Sequence, residues 1–333
     1  MRDSDVNGKV ILITGGTGSF GRAFAKRLLT EWDPAKVIIF SRDEWKQWEM
    51  RQSDPVFNHP KIRFFLGDVR DKERLKRAFR DVDLVLHAAA IKQVPVAEYN
   101  PDEAIKTNVL GAMHVIDAAI EAGVRKVIAL STDKAVNPVS LYGATKLCAD
   151  KLFVAGNALV GARGHPEFSV VRYGNVLGSR GSIIPLWQKL LREGASKLPV
   201  TDPQMTRFWI TLAQAVDFVV SAFGSMRGGE IYVPKIPSMR IADLAAALAP
   251  SISLDICGIR EGEKLHEILV SSDDARRTYA FDNHYVILPS VIQRHAGGRP
   301  VPAGFTYSSE TNQEWLSVEQ LRDLVTIEET VLA

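Results

Sequence analysis

Thr132, Asp133 and Lys134 bring a hydroxyl, a carboxylate and an amine together directly after the apolar run 127–130. An apolar run of this length, bounded by polar residues, predicts a buried parallel strand. Because open α/β sheets bind ligands at the carboxyl ends of their strands, we expect these three side chains to face a ligand crevice. A neighbouring carboxyl and amine are suited to general acid and general base catalysis.

Tyr142 and Lys146 follow on the next predicted helix, four residues apart and therefore on one face of it. In that position an ammonium lowers the pKa of the phenol from its usual value of about 10, which makes the tyrosine a proton-transfer catalyst near neutral pH. The alternative is an ordinary exposed pair on a helix surface. The strand before the pair and a dinucleotide motif upstream favour the catalytic interpretation.

The dinucleotide motif is the glycine-rich segment that follows the apolar strand 9–14. Its glycines permit a tight turn, close approach of the backbone to a pyrophosphate, and packing of the next helix against the strand. The apolar spacing of residues 22–31 predicts a helix whose amino terminus faces the phosphates. The cofactor contacts that we expect here are Gly15, Thr17, Gly18, Ser19, Phe20 and Gly21.

The second predicted strand ends in Ser41, Arg42 and Asp43. They follow the glycines by about 20 residues, the spacing at which such folds bind the adenosine ribose. A hydroxyl and a guanidinium suit a 2′-phosphate, and Lys46 adds charge one helical turn later, so we predict NADP as the cofactor. The alternative is that Asp43 and Glu44 select NAD and leave Arg42 as a surface residue.

The next two predicted strands add further contacts. Asp68, followed by Val69, can accept a hydrogen bond from the adenine amine or, alternatively, cap the following helix. The small residues Ala88 and Ala89 let the cofactor pass close to the backbone. Lys92 lies at the rim of the crevice, where its expected partner is an anionic substrate, with a plain surface lysine as the alternative.

Repeated strand and helix units predict a doubly wound parallel sheet of the α/β class. From residue 183 onward the alternation of strands and helices becomes irregular, and we therefore place a domain boundary near Asn175. The prediction is a cofactor-binding domain at 1–174 and a smaller mixed α/β lobe at 175–333 that binds the substrate, with some of its segments returning to the first domain.

In the second half, Asn175 supplies an amide side chain for the substrate. Four cations are available there for the pyrophosphate of a substrate, namely Arg207, Lys235, Arg260 and Lys264. Of these we favour Arg260, and we interpret His266 as structural.

Composition argues against several other classes of function. The chain of 333 residues is long enough for two domains, and 46% apolar with 24% charged residues is typical of a soluble globular protein. Basic residues exceed acidic ones by only 41 − 39 = 2, so no nucleic-acid partner is predicted. Cys148 and Cys257 lack the spacing of a zinc site or a disulfide framework, and no metal is expected. With no signal peptide and no apolar run of about 18 residues, we expect a cytoplasmic protein without a membrane span.

Gly15-x-x-Gly18-x-x-Gly21 together with Tyr142-x-x-x-Lys146 resembles the extended short-chain dehydrogenase/reductase superfamily, whose fold is Rossmann-type. More narrowly, longer segments look like those of the inverting UDP-N-acetylglucosamine 4,6-dehydratases of pseudaminic acid synthesis. The match spans Gly8 to about Leu269, and Glu261 departs from it where a proline is expected. The segments that carry it are Ser41-Arg-Asp-Glu, Leu130-Ser-Thr-Asp-Lys-Ala, Arg172-Tyr-Gly-Asn-Val, Met205-Thr-Arg-Phe-Trp and Gly258-Ile-Arg-Glu-Gly-Glu-Lys-Leu-His-Glu.

The resemblance implies a tightly held NADP, UDP-N-acetylglucosamine as the substrate, and a homo-oligomer, either a dimer or a hexamer. It implies that Tyr142, aided by Lys146, takes the proton of the C4 hydroxyl while C4 is oxidised. Lys134 as base and Asp133 as acid then eliminate water across C5 and C6, and hydride returns to C6. Protonation of C5 from the opposite face inverts that centre, and Lys134 is the residue on which inversion depends. Thr132 is implied to bond the sugar near C4, with a bond to the backbone as the alternative.

Three other functions remain open from the sequence. A UDP-sugar C4-epimerase shares the fold, the cofactor, Tyr142 and Lys146, but it has no use for the pair Asp133 and Lys134. A retaining 4,6-dehydratase keeps the configuration at C5 and has a second acid after the aspartate, where this chain has Lys134. A non-catalytic scaffold that senses NADP usually lacks the tyrosine or the lysine, and both are present here.

Overall fold

The structure, a computed structural model, describes residues 6–161, 164–179, 181–289 and 297–332. Its strands, in chain order, are β1 (Val10–Thr14), β2 (Lys36–Ser41), β3 (Ile62–Leu66), β4 (Leu84–His87), β5 (Lys126–Thr132), β6 (Glu167–Tyr173), β7 (Asn175–Val176), β8 (Lys197–Val200), β9 (Thr206–Ile210), β10 (Ile231–Pro234), β11 (Ser238–Arg240), β12 (Ser253–Ile256), β13 (Ile268–Val270), β14 (Thr278–Ala280), β15 (His284–Ile287), β16 (Arg299–Pro300) and β17 (Tyr307–Ser308).

The main sheet has ten strands in the order β16-β14-β15-β10-β6-β5-β4-β1-β2-β3. From β3 to β10 all neighbouring strands run parallel, and β15, β14 and β16 extend the sheet with antiparallel pairs. The doubly wound parallel sheet predicted from the sequence is confirmed. The antiparallel extension was not predicted, because short strands separated by loops give little periodic signal.

The central strand β1 shows why these segments pair. Its residues 11–14 are fully buried, and Leu12 lies between Ile38 on β2 and Val85 on β4 in register. A strand covered on both faces by helices is apolar at successive positions rather than at alternate ones. The continuous apolar run at the start of the chain therefore identifies an interior strand.

Helices cover both faces of the sheet. The chain moves from β1 to β2 in one direction and from β4 to β5 in the other, so right-handed crossovers place the connecting helices on opposite faces. None of the described helices combines the length and the apolar character needed to cross a membrane. They are α1 (Ser19–Glu31), α2 (Glu44–Ser53), α3 (Lys72–Ala78), α4 (Val94–Tyr99), α5 (Pro101–Ile105), α6 (Gly111–Ala122), α7 (Leu141–Gly156), α8 (Ile183–Arg192), α9 (Leu212–Ser225), α10 (Ile241–Leu248) and α11 (Val318–Leu332).

A π-helical segment, Lys106–Leu110, joins α5 to α6 where the sequence pattern suggests one uninterrupted helix. The amide of Asn108 in this segment donates to the carbonyl of Ile91 over 2.9 Å and to Oγ1 of Thr145 over 3.0 Å, and it accepts from the backbone N–H of Ile91 over 2.8 Å. These bonds hold the wider turn in place. Single π turns are frequent at functional sites, and this one contributes Thr107 to a cavity wall.

The segments after residue 174 belong to two structural bodies. Strands β10, β14, β15 and β16 join the main sheet, whereas the others form three small sheets, β11-β9-β7, β12-β8 and β13-β17. A second apolar core surrounds Trp187, Leu244 and Leu321, all fully buried. The boundary near Asn175 remains a prediction, and the later strands in the main sheet are the kind of returning segment that it includes.

Candidate active site

A cavity of about 650 Å³ opens at the carboxyl ends of the parallel strands, where the crossovers from β1 and β4 diverge. Arg260 does not line it, and neither do the other cations considered for a pyrophosphate, Arg207, Lys235 and Lys264. The predicted residues that do are Gly15, Thr17, Gly18, Ser19, Phe20, Gly21, Ser41, Arg42, Asp43, Lys46, Asp68, Val69, Ala88, Ala89, Lys92, Thr132, Asp133, Lys134, Tyr142, Lys146 and Asn175.

The glycine-rich loop is too tightly packed for side chains at two positions. Gly15 has a φ of +66°, and a Cβ there would lie 2.8 Å from the backbone N of Ala89. A Cβ at Gly21 would lie 2.5 Å from Cα of Gly16. The helix that follows starts at Ser19, earlier than the apolar spacing suggests, so its first turn lines the cavity. A helix amino terminus in that position suits the negative charge of a pyrophosphate.

The residues predicted to read the adenosine ribose lie at one end of the cavity. Asp43 caps α2, because its Oδ1 accepts from the backbone N–H of Lys46 over 3.0 Å, and Nζ of Lys46 lies 3.4 Å from Oδ2 of Asp43. Arg42 is 59% exposed, and its Nη1 lies 3.9 Å from Oδ2 of Asp68. The carboxylate of Asp43 is thus already engaged by its own helix and by a lysine.

Asp68 lines the cavity, but it is not the cap of the next helix. Its two oxygens accept from the backbone N–H and from Nε of Arg70, each over 3.0 Å. The cap of α3 is Asp71, whose Oδ1 accepts from the backbone N–H of Arg74 over 2.9 Å. The capping alternative for Asp68 is therefore wrong, since the residue nearer to the helix takes that position.

Several polar atoms in the cavity wall suit a polar ligand. Oγ1 of Thr107, Oγ of Ser131 and Oδ1 of Asn175 are buried without a hydrogen-bond partner among the residues that the structure describes. Buried polar atoms are normally paired, so the wall is matched to a ligand with its own polar groups. With the glycine-rich loop beside them, these residues fit a nicotinamide dinucleotide. Thr107 was not predicted as a site residue, whereas Ser131 belongs to the segment 131–134 that was expected at the mouth of the crevice.

A buried histidine supports the wall between the glycine-rich loop and Ala89. Oγ1 of Thr14 accepts from the backbone N–H groups of Ala88 and Ala89 over 3.2 and 3.3 Å, and it lies 2.8 Å from Nδ1 of His87. Complete burial, together with the charge of Lys146, lowers the pKa of His87 to about 3. His87 is therefore a neutral structural residue.

Thr132, Asp133 and Lys134 form the turn at the end of β5. Oγ1 of Thr132 accepts from the backbone N–H of Lys134 over 3.3 Å and donates to Oδ1 of Asp133 over 2.9 Å. Nζ of Lys134 donates to the same oxygen over 3.0 Å. Asp133 is 1% exposed, and its Oδ2 has no partner among the described residues. The carboxylate is thus held through one oxygen and has a second available to a ligand.

Lys134 is an ammonium in this structure. Burial opposes its charge, but the carboxylates of Asp133 and Glu267, 3.0 and 3.1 Å from Nζ, outweigh burial and raise the pKa of Lys134 above its usual value. Arg207 acts in the opposite direction. The base that was predicted at Lys134 must therefore lose a proton before it can accept one.

Tyr142 and Lys146 lie on α7, and both are buried, so the alternative of an exposed pair is wrong. Burial raises the pKa of Tyr142 to about 12, and the charge of Lys134 and a hydrogen bond with Thr132 oppose that rise. A lowering of this pKa by Lys146 was predicted, and in this structure the net shift has the opposite sign. Nζ of Lys146 donates to the carbonyl of Leu130 over 2.7 Å, and burial lowers its own pKa.

The four cations predicted for a pyrophosphate do not line the cavity. Arg207 is buried and Lys264 mostly buried, both behind the Lys134 turn. Lys235 donates to the carbonyl of Phe281 over 2.6 Å. Arg260 is 57% exposed and pairs only loosely with a neighbouring glutamate. The assignment of Arg260 to the substrate stays a prediction that this position does not favour.

Glu267 lies next to Asp133 and Lys134 but was not predicted from the sequence as a site residue. It is 1% exposed and contacts Lys134, yet the sequence segment 258–267 was used only for its resemblance. The available signal was a glutamate directly before the apolar residues of β13, since a carboxylate at the edge of a buried strand needs a cationic partner.

The chain is similar to known proteins over most of its length. Residues 11–289 match the family described as "Polysaccharide biosynthesis protein". A Campylobacter jejuni protein named UDP-N-acetylglucosamine 4,6-dehydratase (inverting) is 57% identical over 96% of this chain and 98% of its own length. A Rickettsia akari protein named UDP-glucose 4-epimerase is 45% identical over 84% of this chain and 82% of its own length.

A solved structure shows the same architecture. It is the dTDP-glucose 4,6-dehydratase DesIV of Streptomyces venezuelae with NAD and TYD bound, which is similar to this chain with a TM-score of 0.69 and 25% identity, covering 77% of this chain and 86% of DesIV. The fold is therefore that of the extended short-chain dehydrogenases/reductases. By the extent of the family match and of the sequence identities, this chain belongs to the polysaccharide biosynthesis protein family.

Proposed function

We propose that this protein is a C5-inverting UDP-N-acetylglucosamine 4,6-dehydratase. Its product would be UDP-2-acetamido-2,6-dideoxy-β-L-arabino-hex-4-ulose, the first intermediate of pseudaminic acid synthesis. The observation that carries the proposal is the convergence of Asp133, Lys134 and Tyr142 on one cavity, because elimination needs an acid and a base in addition to the phenol. The identity of 57% to an enzyme of that name supports the same substrate.

NADP is the proposed cofactor. When bound, its nicotinamide takes up hydride from C4 of the sugar and gives it back at C6. The engagement of Asp43 by Lys46 supports NADP over NAD, because it leaves Ser41 and Arg42 to meet a 2′-phosphate. DesIV holds NAD. Titration of this protein with each dinucleotide decides between them, and tighter binding of NAD contradicts the proposal.

Tyr142 takes the proton of the C4 hydroxyl. Its burial disfavours the phenolate, so the groups that oppose burial matter, and these are the ammonium of Lys134 and the hydroxyl of Thr132. Lys146, anchored on the carbonyl of Leu130, lies one helical turn away and lines the cavity, where it would contact the cofactor. Thr132 can also bond the sugar near C4, because it lines the cavity.

Asp133 and Lys134 carry out the elimination. Once C4 is a ketone, the proton on C5 becomes acidic. The amine of Lys134 accepts that proton, and the carboxylic acid of Asp133 donates one to the departing C6 hydroxyl. Lys134 ends as an ammonium, Asp133 ends as a carboxylate, and one water leaves. Once hydride has returned to C6, a proton from water adds to C5 from the opposite face and inverts the configuration.

The substrate contacts that we propose lie on the cavity wall away from the glycine-rich loop. Lys92 is exposed at the rim and provides a cation for the diphosphate. Oδ1 of Asn175 is buried without a partner among the described residues, and it provides an acceptor for a sugar hydroxyl. Arg260 reaches the diphosphate only if its loop moves toward the cavity.

The test is incubation with UDP-N-acetylglucosamine in deuterated water, followed at once by proton NMR. The expected product is a 4-keto-6-deoxy sugar with deuterium at C5 and the inverted configuration there. The same product with the original configuration identifies a retaining enzyme. UDP-N-acetylgalactosamine without a ketone identifies a 4-epimerase, the function named for the Rickettsia relative. No turnover identifies a non-catalytic scaffold.

A homo-oligomer, a dimer or a hexamer, is part of the proposal. Apolar side chains are exposed along the neighbouring segments α4, α5, the π turn and the start of α6, namely Val96, Tyr99, Ile105, Leu110 and Met113. A run of exposed apolar residues is typical of an interaction surface. Light scattering during size-exclusion chromatography measures the assembly, and a monomer at micromolar concentration contradicts it.

A further inference from the structure

Glu267 is a buried carboxylate next to the acid and base pair. It is 1% exposed, and its Oε1 lies 3.1 Å from Nζ of Lys134. It does not line the cavity, so it is placed behind Lys134 rather than against a substrate. The backbone N–H of Glu267 donates to Oγ of Ser309 over 2.9 Å, which fixes the chain at this point.

Two further cations lie near Glu267. Nε of Arg207 lies 3.9 Å from its Oε1, and Nζ of Lys264 lies 3.6 Å from its Oε2. Nζ of Lys264 also donates to the carbonyl of Val136 over 2.6 Å, which ties this cluster to the turn that follows Lys134. The carboxylate of Glu267 therefore lies among three cations, those of Lys134, Arg207 and Lys264.

The proposed elimination requires a neutral amine at Lys134 and a protonated acid at Asp133. The structure instead contains the ion pair, with Nζ of Lys134 donating to Oδ1 of Asp133 over 3.0 Å. Movement of one proton along this hydrogen bond converts the pair into amine and carboxylic acid, and no proton is exchanged with water. The elimination restores the ion pair, so the pair holds one shared proton at the start and at the end.

We propose that Glu267 is a positioning residue for this pair, which holds Lys134 against Asp133 and retains their shared proton. The proposal rests on the proposed dehydratase function. It assigns Glu267 no contact with the sugar. It explains why a glutamate without access to the cavity is buried at the end of the segment 258–267 that leads into β13.

The charges around Lys134 support this role. Asp133 and Glu267 raise its pKa, Arg207 lowers it, and Lys264 and Tyr142 are the other titratable groups within its field. Removal of the charge of Glu267 leaves Asp133 as the remaining carboxylate that acts on Lys134 in this cluster. The pair then loses its proton to solvent at lower pH, because an adjacent opposite charge accounts for about one to three pH units.

The test compares the pH profiles of kcat and kcat/KM for dehydration in wild type, Glu267→Gln and Glu267→Asp. In Glu267→Gln the alkaline limb is expected at least about one pH unit below that of wild type, with kcat reduced about tenfold or more and KM little changed. Glu267→Asp keeps the charge but shortens the reach, so it is expected to keep the wild-type limb with a reduced kcat.

Glu230→Gln is the matched control, because Glu230 is also a buried glutamate but lies away from the cavity. It is near the amino-terminal end of β6, where it accepts from Oγ of Ser169 over 2.7 Å. It is expected to lower thermal stability and leave the alkaline limb in place. An unshifted limb in Glu267→Gln overturns the proposal. If that variant does not fold, wild-type kcat in Glu267→Asp overturns it instead. A wild type that binds UDP-N-acetylglucosamine without dehydrating it overturns the proposed function, and this inference with it.

Discussion

The two ends of the cavity use the same kinds of charged residue in opposite surroundings. At the adenosine end, the side chains of Arg42 and Lys46 are 59% and 53% exposed. At the chemical end, Asp133 and Glu267 are each 1% exposed and Lys134 is 25% exposed. Water and salt screen exposed charges far more than buried ones. The first end can therefore adjust ligand affinity modestly, whereas the second sets protonation states.

The two ends also differ in how the chain builds them. At the adenosine end, Ser41, Arg42, Asp43 and Lys46 lie on one continuous segment at the end of β2 and the start of α2, and Asp68 joins them from the loop after β3. The chemical end joins the turn at 132–134 to residues 207 and 264–267, which lie far away along the chain. Charges assembled from distant segments depend on the fold for their spacing. Substitutions there should have larger effects and be less sensitive to salt.

The largest expected effect is that of Lys134→Ala at the buried end. Dehydration should fall about 10³-fold, the usual contribution of a positioned acid or base, while NADP affinity stays within about threefold of wild type. Steady-state assays and fluorescence titration of the cofactor measure the two quantities. Normal product formation by Lys134→Ala would contradict the expectation that the buried end controls the reaction.

Gly15→Ala probes the loop that joins the two ends. A Cβ at Gly15 would meet the backbone of Ala89, so strain and overpacking together should cost about 3 kcal/mol or more of unfolding free energy. Gly123→Ala is the matched control, because Gly123 has a similar φ of +71° with no atom within 4 Å of the added Cβ. That variant should cost about 1–2 kcal/mol, from the left-handed backbone alone. Urea unfolding measures both, and equal losses would show that the close approach is unimportant.

His87 extends the comparison to a buried group that is not part of the chemistry. Its folded pKa of about 3 lies below the ordinary value of 6.5, so the unfolded chain binds the proton first as the pH falls. Above pH 6.5 the neutral His87 does not reduce the free energy of unfolding. Between pH 6.5 and pH 3 the free energy of unfolding falls progressively, because only the unfolded chain takes up the proton. The loss at pH 5 should be about 2 kcal/mol. His87→Asn should remove this part of the pH dependence in denaturant unfolding, and identical slopes in both proteins would contradict it.

Arg42→Ala at the exposed end should have the smallest effect. Loss of an exposed guanidinium should weaken NADP binding by about tenfold at low ionic strength, and the difference should shrink in 0.5 M salt, where the Debye length is only about 4 Å. Binding of NAD, which lacks the 2′-phosphate, should not change. Isothermal titration at two salt concentrations measures this, and a loss independent of salt would indicate a buried contact instead.

Local features of the sequence were interpreted correctly where neighbouring residues are sufficient. The apolar run 127–130 predicted an interior strand, which is now β5 with Thr132, Asp133 and Lys134 at its end. Asp68 was misjudged only in its capping alternative, because Asp71 stands closer to the helix. Such features rest on hydrogen bonds and spacings within a few residues, and these are visible in a sequence.

Charge states and distant partners were not accessible in the same way. The sequence indicated that Tyr142 and Lys146 share a helix face, and from that spacing a lowered phenol pKa was inferred. Only the fold showed that both groups are buried and that the nearby ammonium acting on Tyr142 is that of Lys134. Desolvation depends on everything packed around a group, so the sign of such a shift cannot be obtained from spacing alone.

The sequence by itself determined the doubly wound sheet, the glycine-rich loop and the order of the chemical residues, because periodicity and backbone constraints act locally. The tertiary structure alone decided that Arg260 remains outside the cavity and that Glu267 lies against Lys134. Both outcomes depend on how the segment 258–267 packs against the turn that follows β5. Contacts between segments so far apart in the chain arise only when the chain folds.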